Sequence, residues 1–255
     1  MNERFEVVGI RPLPDPPARR RRWYEGKPLF SAGVLALIVL GCLLLPLMGT
    51  RDPAYMDLAR CGVPPCGEFL FGTDAMGRDI FSMIWYGGRL SLFIGLAAAL
   101  LSTAIAILFG AVSGCAPAWL DGLLMRLTEI LLSVPSLLVI VLLQAVMGKA
   151  SILSIALVIG VTSWTGMAKI VRTEVRQIRA SEYVLASRCM GGGFFHILWR
   201  HLTPNFVSSI MFMAVMNVRS AIAAESTLSF MGIGLPLEVV TWGSMLSLSE
   251  KALLS

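Results

Sequence analysis

Residues Leu90 to Gly114 read LSLFIGLAAALLSTAIAILFGAVSG, inside a longer run, 90–120, that carries no Asp, Glu, Lys or Arg. A helix crosses the bilayer core with about 20 predominantly apolar residues, and lipid obliges a chain to satisfy its backbone groups internally. This stretch therefore predicts a transmembrane helix. Four further runs lack charge, 28–50, 130–148, 150–168 and 202–218. They predict spans at 29–49, Ile130–Met147, Ala150–Met167 and Phe206 to about Ala224. The expected fold class is all-α, a polytopic membrane protein with five spans. No further crossing is visible in 226–255.

Composition agrees. Of 255 residues 56% are apolar and 15% charged, with mean hydropathy +0.76, whereas a soluble globular chain carries about 25% charge. A water-soluble enzyme is thereby excluded, since too few polar side chains remain to cover a surface. The first apolar stretch follows Arg19 to Arg22 and has the look of a signal-peptide core, but its length and the absence of a small-residue exit make it a retained span or signal anchor.

Basic flanks orient the spans. The first 27 residues hold seven basic and four acidic residues, whereas 51–89 hold four and five. Positive flanks stay in the cytoplasm, so the amino terminus and the segment 1–28 are expected inside and the 50–89 loop outside. The 116–129 link returns inside, and Gly148 and Lys149 turn outside. Segment 169–201 is again inside, with Lys169, Arg172, Arg176, Arg179, Arg188 and Arg200 against only Glu174 and Glu182. Two separate charge biases thus give one orientation.

Between the last two spans lies EYVLASRCMGGGFFHILWRHLTPN, Glu182 to Asn205. Good helix formers run from Glu182 to Met190, Gly191 to Gly193 interrupt them, Phe194 to His201 resume, and Pro204 enforces a restart. Helix, turn and helix on the membrane surface could serve as an interfacial anchor or as a knob docked in a partner's groove. The residues alone do not choose between these.

This stretch resembles the signature loop of binding-protein-dependent ABC transporter permeases. Ala186 and Ser187 fall on the family's paired alanines, Gly191 on its glycine, Ile197 on its isoleucine, His201 on its histidine, and Pro204 with Asn205 on the closing pair. Leu185 stands where the family often has Glu, and Glu182 one turn earlier could substitute. Three other pieces are similar to the branch serving oligopeptides, dipeptides and nickel: FGTDAMGRDIFSMIWYGGRLSL (Phe71–Leu92), DGLLMRLTEILLSVPSLL (Asp121–Leu138) and ESTLSFMGIGLPLEVVTWGSML (Glu225–Leu246).

The resemblance implies a type I importer transmembrane domain over 88–255, in a C-type permease subunit of the bacterial inner membrane. It implies half of a pore for di- or oligopeptides, with nickel or another small solute as the alternative. Its partners would be a second homologous permease, two ATPase subunits that hold ATP and magnesium, a periplasmic or lipid-anchored solute-binding protein, and the bilayer. No enzyme activity, cofactor, metal or nucleic acid is expected in this chain. The ATPases would dock on 182–205 through Glu182, Ala186, Ser187, Arg188, Gly191, Ile197, His201, Pro204 and Asn205. Gly72 to Asp79 and Gly232 to Trp242 are candidate contacts or gate supports on the outer face. The family has six spans, the last beyond the Trp-Gly element, so this chain is expected to lack that helix, and a truncated, non-transporting relic is the alternative.

Asn217 and Arg219 are polar groups on the last predicted span, where such residues face a protein interior or an aqueous path, and with Glu225 at its edge they are candidates for the pore or gate if they point inward. Arg219 could equally snorkel or pair with another helix. His201 could satisfy carbonyls at a helix end as well as contact an ATPase. Pro117 and Pro135 read as boundary or kink prolines, and Asp74, Arg78 and Asp79 as a structural cap or a solute contact. Cys61 and Cys66 lie in the external loop and could pair there, although Pro64 and Pro65 between them could splay the thiols. His196 and His201 have no carboxylate pair beside them, which argues against a metal site.

Overall fold

A computed structural model describes residues 29–47, 52–53, 55–191, 203–236 and 238–254. Its helices are α1 (Leu29–Leu44), α2 (Ile80–Cys115), α3 (Ala118–Ser133), α4 (Ser136–Met147), α5 (Ile152–Thr162), α6 (Thr165–Arg179), α7 (Glu182–Cys189), α8 (Thr203–Phe230) and α9 (Trp242–Leu254). The chain divides into two units, Met1–Val39 and Leu40–Ser255. In the first, the described residues are the amino-terminal part of α1, with Phe30, Leu35 and Leu37 exposed. The second contains the remaining helices and both apolar clusters.

Helix α2 organises the second unit. It starts where the Asp79 carboxylate accepts hydrogen bonds from the Ser82 amide at 3.1 Å and the Ser82 hydroxyl at 2.6 Å, satisfying donors that a helix start leaves orphaned. At about 1.5 Å per residue its 36 residues span about 54 Å, well beyond the apolar layer of about 30 Å. The helix therefore begins ten residues before the predicted Leu90, because the edge of a charge-free run marks where lipid begins and not where hydrogen bonding does.

The buried side of α2 is made of small residues, among them Gly87, Gly88, Ser91, Gly95, Ala98, Ser102, Ala106, Gly110, Ser113 and Gly114. Their spacing of three and four lines one face, and α5, α6 and α8 pack closely on it. A Cβ on Gly110 would stand 2.6 Å from the Ala168 carbonyl oxygen and 2.7 Å from Val171 Cβ. Without a hydrophobic force between helices in lipid, such backbone approach is what holds them together. One cluster joins Ala106 to Trp164, Met167, Ala168, Val171, Val175, Ile178 and Val184. A second joins Ile94 and Ala98 to Ile140, Ile155, Ile159, Ala221, Leu228 and Leu235.

Two predicted spans are broken helices. The predicted Ile130–Met147 span is interrupted at Val134 and Pro135, and α3 and α4 diverge by 86°. Proline lacks an amide donor and forces its predecessor out of the helical region, and Val134 is extended at φ −92° and ψ 130°. The predicted Ala150–Met167 span is α5 followed by α6, bent by 46° at Ser163 and Trp164. There the Thr162 hydroxyl donates back to the Val158 and Ile159 carbonyls at 2.9 and 3.0 Å, a competition that bends helices. Among the described residues, Leu29–Leu47 and Ile80–Cys115 are long and apolar enough to cross a membrane, and up to four spans result if each bent pair is one.

Beyond 226 the chain is also more regular than expected, since α8 continues to Phe230 and α9 forms over Trp242–Leu254. Helix α7 matches the predicted Glu182–Met190 element closely, while Phe194–His201 lie outside the described residues. Pro117 and Pro135 stand at the starts of α3 and α4, as boundary prolines. Cys61 and Cys66 are both free thiols.

The close approach on α2 predicts a contrast between two glycines. Gly110→Val should destabilise the protein by about 1–3 kcal/mol through overpacking. Gly122→Ala in α3, where an added Cβ meets nothing within 4 Å, should be neutral or stabilising by about 0.5–1 kcal/mol. Thermal unfolding of the purified protein in detergent distinguishes them.

Candidate coupling and gating sites

At the carboxyl end of α2, helix α6 supplies an ionic joint. It buries Val171, Val175 and Ile178 on one side, and carries Arg172, Arg176 and Arg179 at the same three-and-four spacing on another. Arg172 Nε donates to Asp121 Oδ1, and its Nη2 to Oδ2 at 2.5 Å. Arg176 stands 3.1 Å from Oδ2, and the Ser113 hydroxyl donates to Oδ1 at 2.6 Å. Arg179 Nη1 donates to the Gly114 carbonyl at 2.8 Å, a cation at the negative end of a helix. One helix thus clasps the end of α2 and the start of α3. The Arg172 hydrogen bonds hold the Asp121 carboxyl down to about 2 against its burial, with Ser113 adding to the effect.

Helix α7 starts directly after this joint. Val184 is fully buried in the cluster that joins α2 to α6, and its amide donates to the Ser181 carbonyl. Ser187 is buried and Glu182 exposed. Ala186 and Arg188 belong to the same helix, and their side chains lie outside the described residues. Gly191 follows with φ +85° and open space where a Cβ would be, the left-handed conformation that ends helices. Pro204 and Asn205 are the second and third residues of α8, with side chains outside the description, and Ile197 and His201 lie outside the described residues altogether.

The opposite end of α2 holds a polar knot. Glu225 of α8 has no exposed surface. Its Oε1 accepts from the Thr241 and Ser229 hydroxyls at 2.8 and 2.9 Å, and its Oε2 from the Ser91 hydroxyl at 3.3 Å. Ser91 in turn accepts from the Trp242 amide at 3.2 Å, and Trp242 Nε1 donates to the Ile84 carbonyl at 3.0 Å. Three helices therefore meet at one carboxylate. Asn217 makes a similar clasp deeper in the bundle, its Nδ2 donating to Ser102 Oγ at 3.2 Å and approaching Met167 Sδ at 3.4 Å. Arg219 alone of the three pore candidates is exposed.

The loop before α2 is ordered by Asp74, Arg78 and Asp79. Asp74 Oδ1 accepts from the Met76 and Arg78 amides at 2.9 and 2.8 Å, and Arg78, almost wholly buried, pairs with Oδ2 at 2.7 Å. With Asp79 capping α2, these residues form the structural cap that is one of the two sequence readings. Gly77 takes φ +74° where any Cβ would collide with the Asp57 backbone.

The sequence reading placed Asp121 in a motif without its partners and did not single out Val184, the two residues on which the ionic joint and the packing of α7 turn. The three-and-four spacing of Arg172, Arg176 and Arg179 was the visible signal, since one basic face on a helix invites an acidic partner. Nothing in the sequence marks Val184, whose importance comes from what it is packed against.

Asp121→Asn should cost about 1–3 kcal/mol of stability, the range for a charged hydrogen bond removed from a buried group. Because the folded-state pKa is lowered, the stabilisation is complete above the ordinary carboxylate value of about 3.9 and is lost as pH falls toward 2. The gap between wild type and variant in thermal unfolding is therefore constant from about pH 5 to 8 and narrows at lower pH. Glu225→Ala strands the Ser91, Ser229 and Thr241 hydroxyls and should cost about 2–5 kcal/mol, with Glu225→Gln clearly milder in the same assay.

Over residues 106–253 the chain matches the family of binding-protein-dependent transport system inner membrane components. It is 38% identical over 214 residues to the oligopeptide transport system permease protein OppC of Bacillus subtilis, covering 84% of this chain and 70% of the relative. It is 39% identical over 227 residues to the dipeptide transport system permease protein DppC of the same organism, covering 88% and 70%. Family membership implies a bacterial inner-membrane, multi-pass subunit of a multi-subunit importer, with ATP hydrolysis on other chains. The chain belongs to the binding-protein-dependent transport system inner membrane components, as a C-type permease subunit of the oligopeptide, dipeptide and nickel branch of ABC importers.

Proposed function

We propose that the chain forms half of a translocation path that imports di- and oligopeptides. The match over 106–253 carries this reading, and two relatives at 38% and 39% identity bear the names of oligopeptide and dipeptide permeases. A second homologous permease completes the path. Two ATPases using ATP and magnesium drive it, and a solute-binding protein, periplasmic or lipid-anchored, delivers substrate.

The proposed topology has five crossings with the amino terminus inside: 29–49 with α1, Leu90–Gly114 of α2, Ile130–Met147 in the α3/α4 pair, Ala150–Met167 in α5 and the start of α6, and Phe206 to about Ala224 in α8. Residues 1–28 form the basic cytoplasmic segment, 29–49 the first span, 50–89 the outer loop, and 88–255 the transporter domain. The arrangement of the two joints supports this orientation. Arg172, Arg176, Arg179 and α7 gather at one end of α2, by Ser113 and Gly114, and Glu225 with α9 at the other, by Ser91. A basic inner end and a neutral outer end are what charge bias requires.

The ATPases dock on 182–205, with Glu182, Ala186, Ser187, Arg188, Gly191, Ile197, His201, Pro204 and Asn205 as contacts or supports. Closure of the ATPase pair pushes α7, and Val184 passes the movement into α2 and α6 as a rigid shift. Asn217 and Glu225 fix the helices that border the path, and Arg219 faces it.

The test is uptake by lipid vesicles containing this chain, its partner permease and the ATPases, given the binding protein and labelled dipeptide, oligopeptide or nickel in separate runs. Binding-protein-dependent peptide uptake with stimulated ATP hydrolysis is the expected result. Uptake of nickel alone, or an assembled complex that moves neither solute, would overturn the peptide reading.

A further inference from the structure

Arg219 is the one pore candidate whose side chain the fold leaves uncommitted. It makes no ion pair among the described residues and is exposed. Its depth follows from its neighbours. Asn217 bonds to Ser102, and Gly95 of α2 packs against Val218 and Ile222, so Arg219 is level with the 95–102 portion of α2, inside the charge-free run 90–120. Along the expected span, Phe206 to about Ala224, it stands 13 residues from one end and five from the other, about 20 and 8 Å at 1.5 Å per residue.

A guanidinium is costly to leave facing hydrocarbon. It must meet water or an anion. On the exposed arc of α8 it sits centrally, with Met211 and Val215 on one flank and Met216 on the other, beside Phe212. Methionines are flexible and polarisable, suited to a surface that meets many shapes, whereas arginine offers a planar fork matched to a carboxylate. Peptides vary in their side chains and share a carboxyl terminus. An adaptable apolar strip with one fixed cation fits that combination.

We propose that Arg219 is a carboxylate-binding point in the translocation path, receiving the carboxyl terminus of a passing peptide while Met211, Phe212, Val215 and Met216 accommodate its side chains. A single such point suits transport, because a path must bind enough to admit its solute and weakly enough to release it. The inference rests on the reading of the chain as a peptide permease with α8 bordering the path.

The test uses the complete importer in lipid vesicles and two labelled probes, trialanine and trialanine amide, each offered at concentrations that give equal loading of the binding protein. Wild type should import the acid faster than the amide by about 10-fold or more, the scale of one charged hydrogen-bonded pair. Arg219→Gln should bring the two rates within about 2-fold by slowing the acid alone, and Arg219→Lys should keep most of the preference. Co-purification of the partner permease should stay at the wild-type level in both variants. A wild-type ratio near one, a parallel fall for both probes, or loss of the partner permease from Arg219→Gln would overturn the proposal, the last by making Arg219 an interface residue. Wild type that imports neither probe but assembles would overturn the peptide reading itself, and this proposal with it.

Discussion

Close backbone approach along α2 is the constraint on which the rest of the second unit depends. Helices in lipid gain nothing by hiding apolar side chains from one another, so their association rests on packing area and internal hydrogen bonds. Small residues from Gly87 to Gly114 give α2 a surface against which α5, α6 and α8 lie in direct contact. The two apolar clusters are arranged along this one helix, with Ala106 in one and Ile94 and Ala98 in the other. Displacing α2 would open both.

Polar groups then hold the two ends in different ways. At the basic end, a true ion pair between Asp121 and Arg172 works with Arg176 and Arg179, in a place where long charged side chains can still reach water. At the other end Glu225 is sealed from solvent and, among the described residues, answered by the hydroxyl donors of Ser91, Ser229 and Thr241. Satisfied buried networks rigidify what they join, and half-satisfied ones are costly, which makes both joints sensitive to single substitutions. Because Val184, Val175 and Ile178 share one cluster, α6 carries both the ionic joint and the packing of α7. In the proposed function, a push on α7 therefore reaches α2 and α3 together.

Much of the candidate site was legible in residue types. The capping role of Asp79 and the Asp74 and Arg78 pairing follow from carboxylates placed just before an apolar run, a local arrangement whose partners are two to four residues away. The α7 helix was legible for the same reason. The surroundings of Asn217, Arg219 and Glu225 were not, because three polar residues on one helix look alike until the neighbours are known. Asn217 meets Ser102 and Glu225 meets Ser91 and Thr241, partners 115, 134 and 16 residues distant. Only Arg219 is left turned outward. Helix breaks were likewise half visible: Pro135 announced a boundary, but an 86° change of direction depends on what α3 and α4 pack against.

Sequence by itself determined the class, an all-α polytopic membrane protein, and it supplied the charge-free runs and basic flanks on which the proposed spans and orientation rest, since each follows from sums over short windows: apolar length against bilayer thickness, and charge at the flanks. It also determined the family, through ordered short motifs. Tertiary structure decided which helices are continuous, which faces of α2 and α8 are covered, and which of several charged groups is paired. Those outcomes depend on contacts between residues far apart in the chain. No local window contains that information, because a buried carboxylate and an exposed guanidinium on one helix differ only in what lies beside them.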